Sequence, residues 1–136
     1  MEINFHAEDV KLPDLPEEKI VNWLNQVASL EGQELDEINV VFCSDEHLLQ
    51  MNRDFLNHDY YTDIITFDYT EEHVAGDIFI SLDRVVENAQ DFSEGYDREL
   101  RRVIVHGVLH LLGYKDKTDD DARQMRAKEE AALSLL

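Results

Sequence analysis

The chain has 136 residues, 43% of them hydrophobic, and a formal net charge of −19. That length suits one domain, residues 1–136, with a single core, and no apolar run approaches the roughly 20 residues of a membrane span. So acidic a chain repels phosphate at long range, which works against simple tight binding of DNA or RNA. Local basic groups, a metal ion or a protein partner would have to overcome that field. The first residues lack the basic-then-apolar pattern of a signal peptide. The single cysteine, Cys43, can form no internal disulfide and reads as a buried free thiol within an apolar run. These points favour the cytoplasm.

In chain order, Ile3 and Phe5 mark a short first strand, and a loop holding Pro13 and Pro16 follows. Pro16 with Glu17 and Glu18 suits a helix start. Ile20, Trp23, Leu24 and Val27 continue at helical spacing as a core face, and Glu31-Gly32 ends the helix. Ile38, Val40 and Phe42 alternate as a second strand. Ser44 then caps a helix carrying Leu48, Met51, Asn52 and Phe55 along one side. After a polar, aromatic turn over residues 58–63, Ile64–Phe67 and Asp77–Ile80 read as a strand pair, suggesting a hairpin. Ser81 caps a helix whose Val85, Val86, Ala89 and Phe92 form an apolar stripe. The next helix, about Asp97 to Leu112, buries Leu100, Val103, Ile104, Gly107, Val108 and Leu111. Arg98, Arg101 and Arg102 read as its solvated face. Thr118 with Asp121 resembles a capping box, and Asp119, Asp120 and Asp121 suit the first turn of a last helix through Met125, Ala132 and Leu133. The order is βαβαββααα. It implies an α+β fold, with a small mixed four-stranded sheet packed with about five helices.

The stretch that carries chemistry is His106-Gly107-Val108-Leu109-His110-Leu111-Leu112-Gly113-Tyr114-Lys115-Asp116. Histidines four apart share one face of a helix and can hold one metal ion. Gly113 tolerates the left-handed conformation of a helix end, and a chain that turns back there can bring Asp116 to the same ion. The metzincin proteases place three His ligands at these offsets, in the pattern H-E-x-x-H-x-x-G-x-x-H. Their general base, the Glu after the first His, is Gly107 here, so the ligand geometry survives without the peptidase apparatus. Two neutral imidazoles, one carboxylate and an open position form a catalytic type of zinc site, and zinc lowers the pKa of water in that position. One carboxylate leaves a local charge of +1, where three His ligands would leave +2.

This stretch resembles the signature H-G-x-L-H-L-x-G-Y-D-H of the YbeY family of bacterial rRNA maturation factors, zinc endoribonucleases. A second family block, roughly L-N-x-x-Y-R-x-x-D-x-x-T-D-V-L-S-F, is similar to residues 51–67 here, from Met51-Asn52 to Thr66-Phe67, and the family's G-D-I matches Gly76-Asp77-Ile78. Two departures stand out. Lys115-Asp116 replaces the family's Asp-His, so Asp116 takes the third ligand position. The family Arg linked to RNA contact or catalysis is Leu56.

The resemblance implies one Zn2+ per chain, held by His106, His110 and Asp116, and endoribonucleolytic processing of the 3′ end of 16S rRNA with a part in ribosome quality control. The partner would be rRNA or a ribosomal particle, met through a ribosomal protein. Glu99, Asp63 and Asp68 are the weak candidates for a general base. The alternative is a ribosome-assembly binding factor with a structural metal and no nuclease activity.

Overall fold

The computed structural model describes residues 2–59 and 61–136. Tyr60, in the aromatic turn expected before the third strand, lies outside the described residues. The elements are β1 (Glu2–Ala7), α1 (Glu17–Leu30), β2 (Leu35–Cys43), α2 (Asp45–Leu56), β3 (Ile64–Asp68), β4 (Val74–Ser81), α3 (Leu82–Asp91), α4 (Tyr96–Leu111) and α5 (Asp119–Leu133). The sheet order is β1-β2-β4-β3. β1 and β4 both run parallel to β2, and β3 closes an antiparallel hairpin on β4. The element order and the mixed four-stranded sheet are those expected from the sequence.

Alternation along the strands divides the core. Ile38, Val40 and Phe42 of β2 and Ile78 and Ile80 of β4 join α1, α4 and α5 in one large cluster. Cys43, Leu48 and Ile65 form a small cluster on the opposite face under α2. Cys43 is fully buried, and burial, reinforced by the carboxylates of Asp9 and Glu8, pushes its thiol up to about 12. Such a thiol is inert at neutral pH. Trp23 donates from its indole nitrogen to the carbonyl of Ala132 at 2.8 Å, tying the end of α5 to α1.

Local signals set the helix ends. Ser44, Ser81 and Thr118 accept from the backbone N–H groups of His47, Arg84 and Asp121. At the end of α4, Gly113 has φ 111°. There the Tyr114 N–H donates to the Leu109 carbonyl, and the Gly113 N–H donates to that of His110. This is a Schellman turn, and it reverses the chain beside His110.

Two glycines let α4 ride close on the hairpin. A Cβ at Gly107 would lie 2.6 Å from Ile78 Cγ2 and 2.9 Å from Ile64 Cδ1. One at Gly76 would lie 2.5 Å from the Phe67 carbonyl and 2.8 Å from Leu111 Cδ2. The whole apolar face expected on α4 is buried, and so are Val105 and Leu109.

The stripe expected on α3 is only half buried. Val85 and Ala89 are inside, while Val86 and Phe92 are exposed. Phe92 lies at the helix end, with the Arg126 guanidinium 5.8 Å from its ring centroid. On α2, Phe55 is likewise exposed, resting edge-on against Phe67.

Candidate metal centre

His106 and His110 lie one turn apart on α4, and the loop after the Schellman turn returns Asp116 to them. His106 Nε2 is 3.0 Å from His110 Nε2. Asp116 Oδ2 is 3.3 Å from the first and 3.4 Å from the second. A tetrahedral zinc site with bonds of about 2.0–2.1 Å spaces its donor atoms by roughly 3.3 Å. The triangle therefore has the size that such an ion requires. Among the described residues, these three make the only group able to hold a metal ion.

The hydrogen bonds behind the histidines decide which atoms face inwards. His106 Nδ1 is 2.5 Å from Glu129 Oε2, and His110 Nδ1 is 3.0 Å from the Tyr114 carbonyl. Both partners accept, so both neutral rings carry their proton on Nδ1. Two Nε2 lone pairs and a carboxylate oxygen then converge with no proton among them. Three acceptors at this spacing repel one another unless a cation lies between them, so the donor set fits a divalent metal ion. Burial, and then the neighbouring His106, push the His110 imidazole below its usual value, while Asp116 pulls the other way. The net effect favours the neutral ligand form.

Tyr114 fixes the loop. Its phenol donates to Glu31, the C-cap of α1, and Lys128 of α5 holds the other oxygen of Glu31 at 3.1 Å. Gln33 donates to the Leu112 carbonyl, left free by the end of α4.

The three general-base candidates lie apart from this centre. The Asp63 carboxylate accepts from Asn88 at 3.4 Å, and its carbonyl accepts from the Ser81 N–H. Asp68 accepts from the Thr70 N–H at 2.8 Å in the hairpin turn. Glu99 is 1% exposed and is clamped by Arg102 through two bonds, at 2.8 and 2.6 Å. Among the described residues, none of the three forms a hydrogen bond or ion pair with His106, His110 or Asp116. Arg102, expected on a solvated face, is instead buried between α4 and α5, where it also donates to Glu129 at 3.0 Å. The reason is that α5 folds back across that side of α4.

Glu129 escaped the reading of the sequence. Its signal was there: it stands four residues after Met125 and four before Leu133, a charge on the buried stripe of α5. Burial pushes its carboxyl up, but the hydrogen bond and electrostatic pull of His106, and then the charge of Arg102, outweigh this and hold it below the usual glutamate range.

The sequence model of the family described as endoribonuclease YbeY matches residues 2–136. This chain belongs to the YbeY family. It is 49% identical to the endoribonuclease YbeY of Phocaeicola vulgatus, over 98% of each chain. It is 55% identical to that of Cytophaga hutchinsonii, over 98% of this chain and 94% of the relative. A solution structure of a Thermotoga maritima protein shares the fold, with a TM-score of 0.68 and 28% identity over 98% of this chain and 87% of that one. Leu56, where the sequence reading expects the family arginine, is exposed and lines a shallow recess with Asn52, Thr62, Ile64 and Thr66. Ile64 reaches from there to Gly107, next to His106. Among the described residues no helix is long and apolar enough to cross a membrane.

Proposed function

We propose that this protein is a zinc-dependent endoribonuclease of the cytoplasm that acts in rRNA maturation, on the 3′ end of 16S rRNA, and in ribosome quality control. The observation that carries this reading is the convergence of three possible ligand atoms, His106 Nε2, His110 Nε2 and Asp116 Oδ2, at 3.0–3.4 Å. The relatives' shared name, endoribonuclease YbeY, supplies the substrate class. A divalent ion held there supplies Lewis acidity towards a phosphodiester and water. The chain's own part is to present the ligands in the correct tautomers and to meet the RNA backbone.

That meeting is assigned to Lys115 and Lys117. Both are exposed, and neither forms an ion pair among the described residues. Among the described residues most of the other cations are neutralised internally, and of the arginines only Arg101 lacks such a pair, donating instead to the Asp97 carbonyl. The two lysines flank the third ligand, so they can hold phosphate beside the metal against the net negative field. In an uncleaving H110A background, K115A/K117A is expected to lower the slope of log affinity against log salt by roughly 1.4, at about 0.7 per single-strand phosphate contact. An unchanged slope in a binding titration would remove the lysines from the interface.

The acidic surface and the apolar Leu56 favour a second reading, a ribosome-assembly factor with a structural metal. Highly purified protein, chelated and then reloaded with zinc, separates the two. Cleavage of single-stranded rRNA fragments that is lost and restored supports the nuclease. Ribosome binding that persists without metal, with no cleavage under either condition, supports the assembly factor.

A further inference from the structure

We propose that Glu129 is a positioning residue of the metal centre, held in place by Arg102, which is itself clamped by Glu99. The proposal rests on the metal-site reading above and concerns residues outside the ligand triangle. Glu129 and Glu99 are 2% and 1% exposed. A buried carboxylate is costly unless it is paired. Arg102 binds both carboxylates, at 2.6 and 2.8 Å to Glu99 and 3.0 Å to Glu129. One guanidinium between two carboxylates leaves a single negative charge in the helix interface. That charge sits 2.5 Å from His106 Nδ1.

With Asp116 the assembly carries two negative charges, which one divalent cation would neutralise. The two histidines are therefore held unequally. The neutral carbonyl of Tyr114 orients His110, whereas a carboxylate orients His106 and strengthens it as a donor. Since Glu129 lies on α5 and its partners on α4, the centre also depends on how those helices dock.

The test is E129Q, which keeps the size and an acceptor for Nδ1–H but removes the charge. The zinc dissociation constant, measured by chelator competition, is expected to rise about 10- to 100-fold. The thermal midpoint of the chelated variant should be no lower than that of chelated wild type, because the excess buried charge has gone. A merely structural role predicts the reverse: a lower midpoint and unchanged zinc affinity. That result would overturn the proposal. If E129Q does not fold, R102K retains the charge without the two-point clamp, and several-fold weaker zinc binding is expected; unchanged binding would again overturn it. Wild type that binds no zinc would bring down this proposal and the metal-site reading together. Equal zinc binding by wild type and variant would remove the positioning role alone. A weakened variant beside a wild type that cuts no RNA would leave the positioning role standing and remove the nuclease.

Discussion

R102M is expected to lower the stability of the folded protein by about 3–5 kcal/mol, the cost of leaving buried charge without its partner. The arginine side chain is 13% exposed and lies between two carboxylates that are almost fully buried. Burial disfavours the charged guanidinium, but Glu99 and Glu129 outweigh it and raise its pKa. Methionine fills much of the same space, so the loss reports the orphaned carboxylates rather than a cavity. The pH dependence follows from Glu129, whose pKa is held below the ordinary 4.5 in the wild type. A depressed carboxyl contributes stability that is present above 4.5 and is lost as pH falls through the lowered value. Arg102 supplies part of that depression, after His106, so the Glu129 share of the gap between wild type and R102M should be full at neutral pH and narrow in acid. Urea unfolding at two pH values measures it; equal stability of the two proteins at pH 7 would contradict the buried-network account.

H110A is expected to reduce metal-dependent RNA cleavage by more than about a hundredfold. Losing even an outer-shell partner of a metal ligand typically costs 10- to 100-fold, and here a ligand itself is removed. The imidazole is 23% exposed and packs at the edge of the core. The variant should therefore fold, with a chelated thermal midpoint close to that of wild type. The wild-type ligand also has a pH signature. His110 is shifted below 6.5, chiefly by burial, so its preference for the neutral form is fully expressed above 6.5 and is lost as pH falls through the lowered value. Metal occupancy should survive modest acidification and fail below that range. Cleavage by H110A at the wild-type rate would place the chemistry elsewhere.

The cluster of possible ligands was legible because it is local. His106 and His110 share a helical face, Gly113 closes a Schellman turn, and Asp116 follows within three residues. Helix caps at Ser44, Ser81 and Thr118 were legible for the same reason: each depends on the next three residues. What stayed hidden depends on how α5 docks against α4. Arg102 and Glu129 are 27 residues apart, and periodicity gives the phase of a helix but not which neighbour covers it. An arginine on the polar side of α4 thus reads as solvated until α5 lies over it. Val86 and Phe92 show the converse error, for an apolar stripe on α3 does not require that every member be covered. Glu99 was a weak candidate base because it shares a helical face with the histidines, and Asp63 and Asp68 because they lie beside the third strand, but each also serves an ion pair, a strand end or a turn.

The most direct test of the metal centre is zinc stoichiometry and affinity, measured on wild type and D116A side by side with chelator control. The account predicts one zinc per wild-type chain and markedly weaker binding in D116A, whose remaining donors are two imidazoles. Wild-type protein that binds no zinc at micromolar concentration, or D116A that binds it as tightly as wild type, would contradict the three-ligand site.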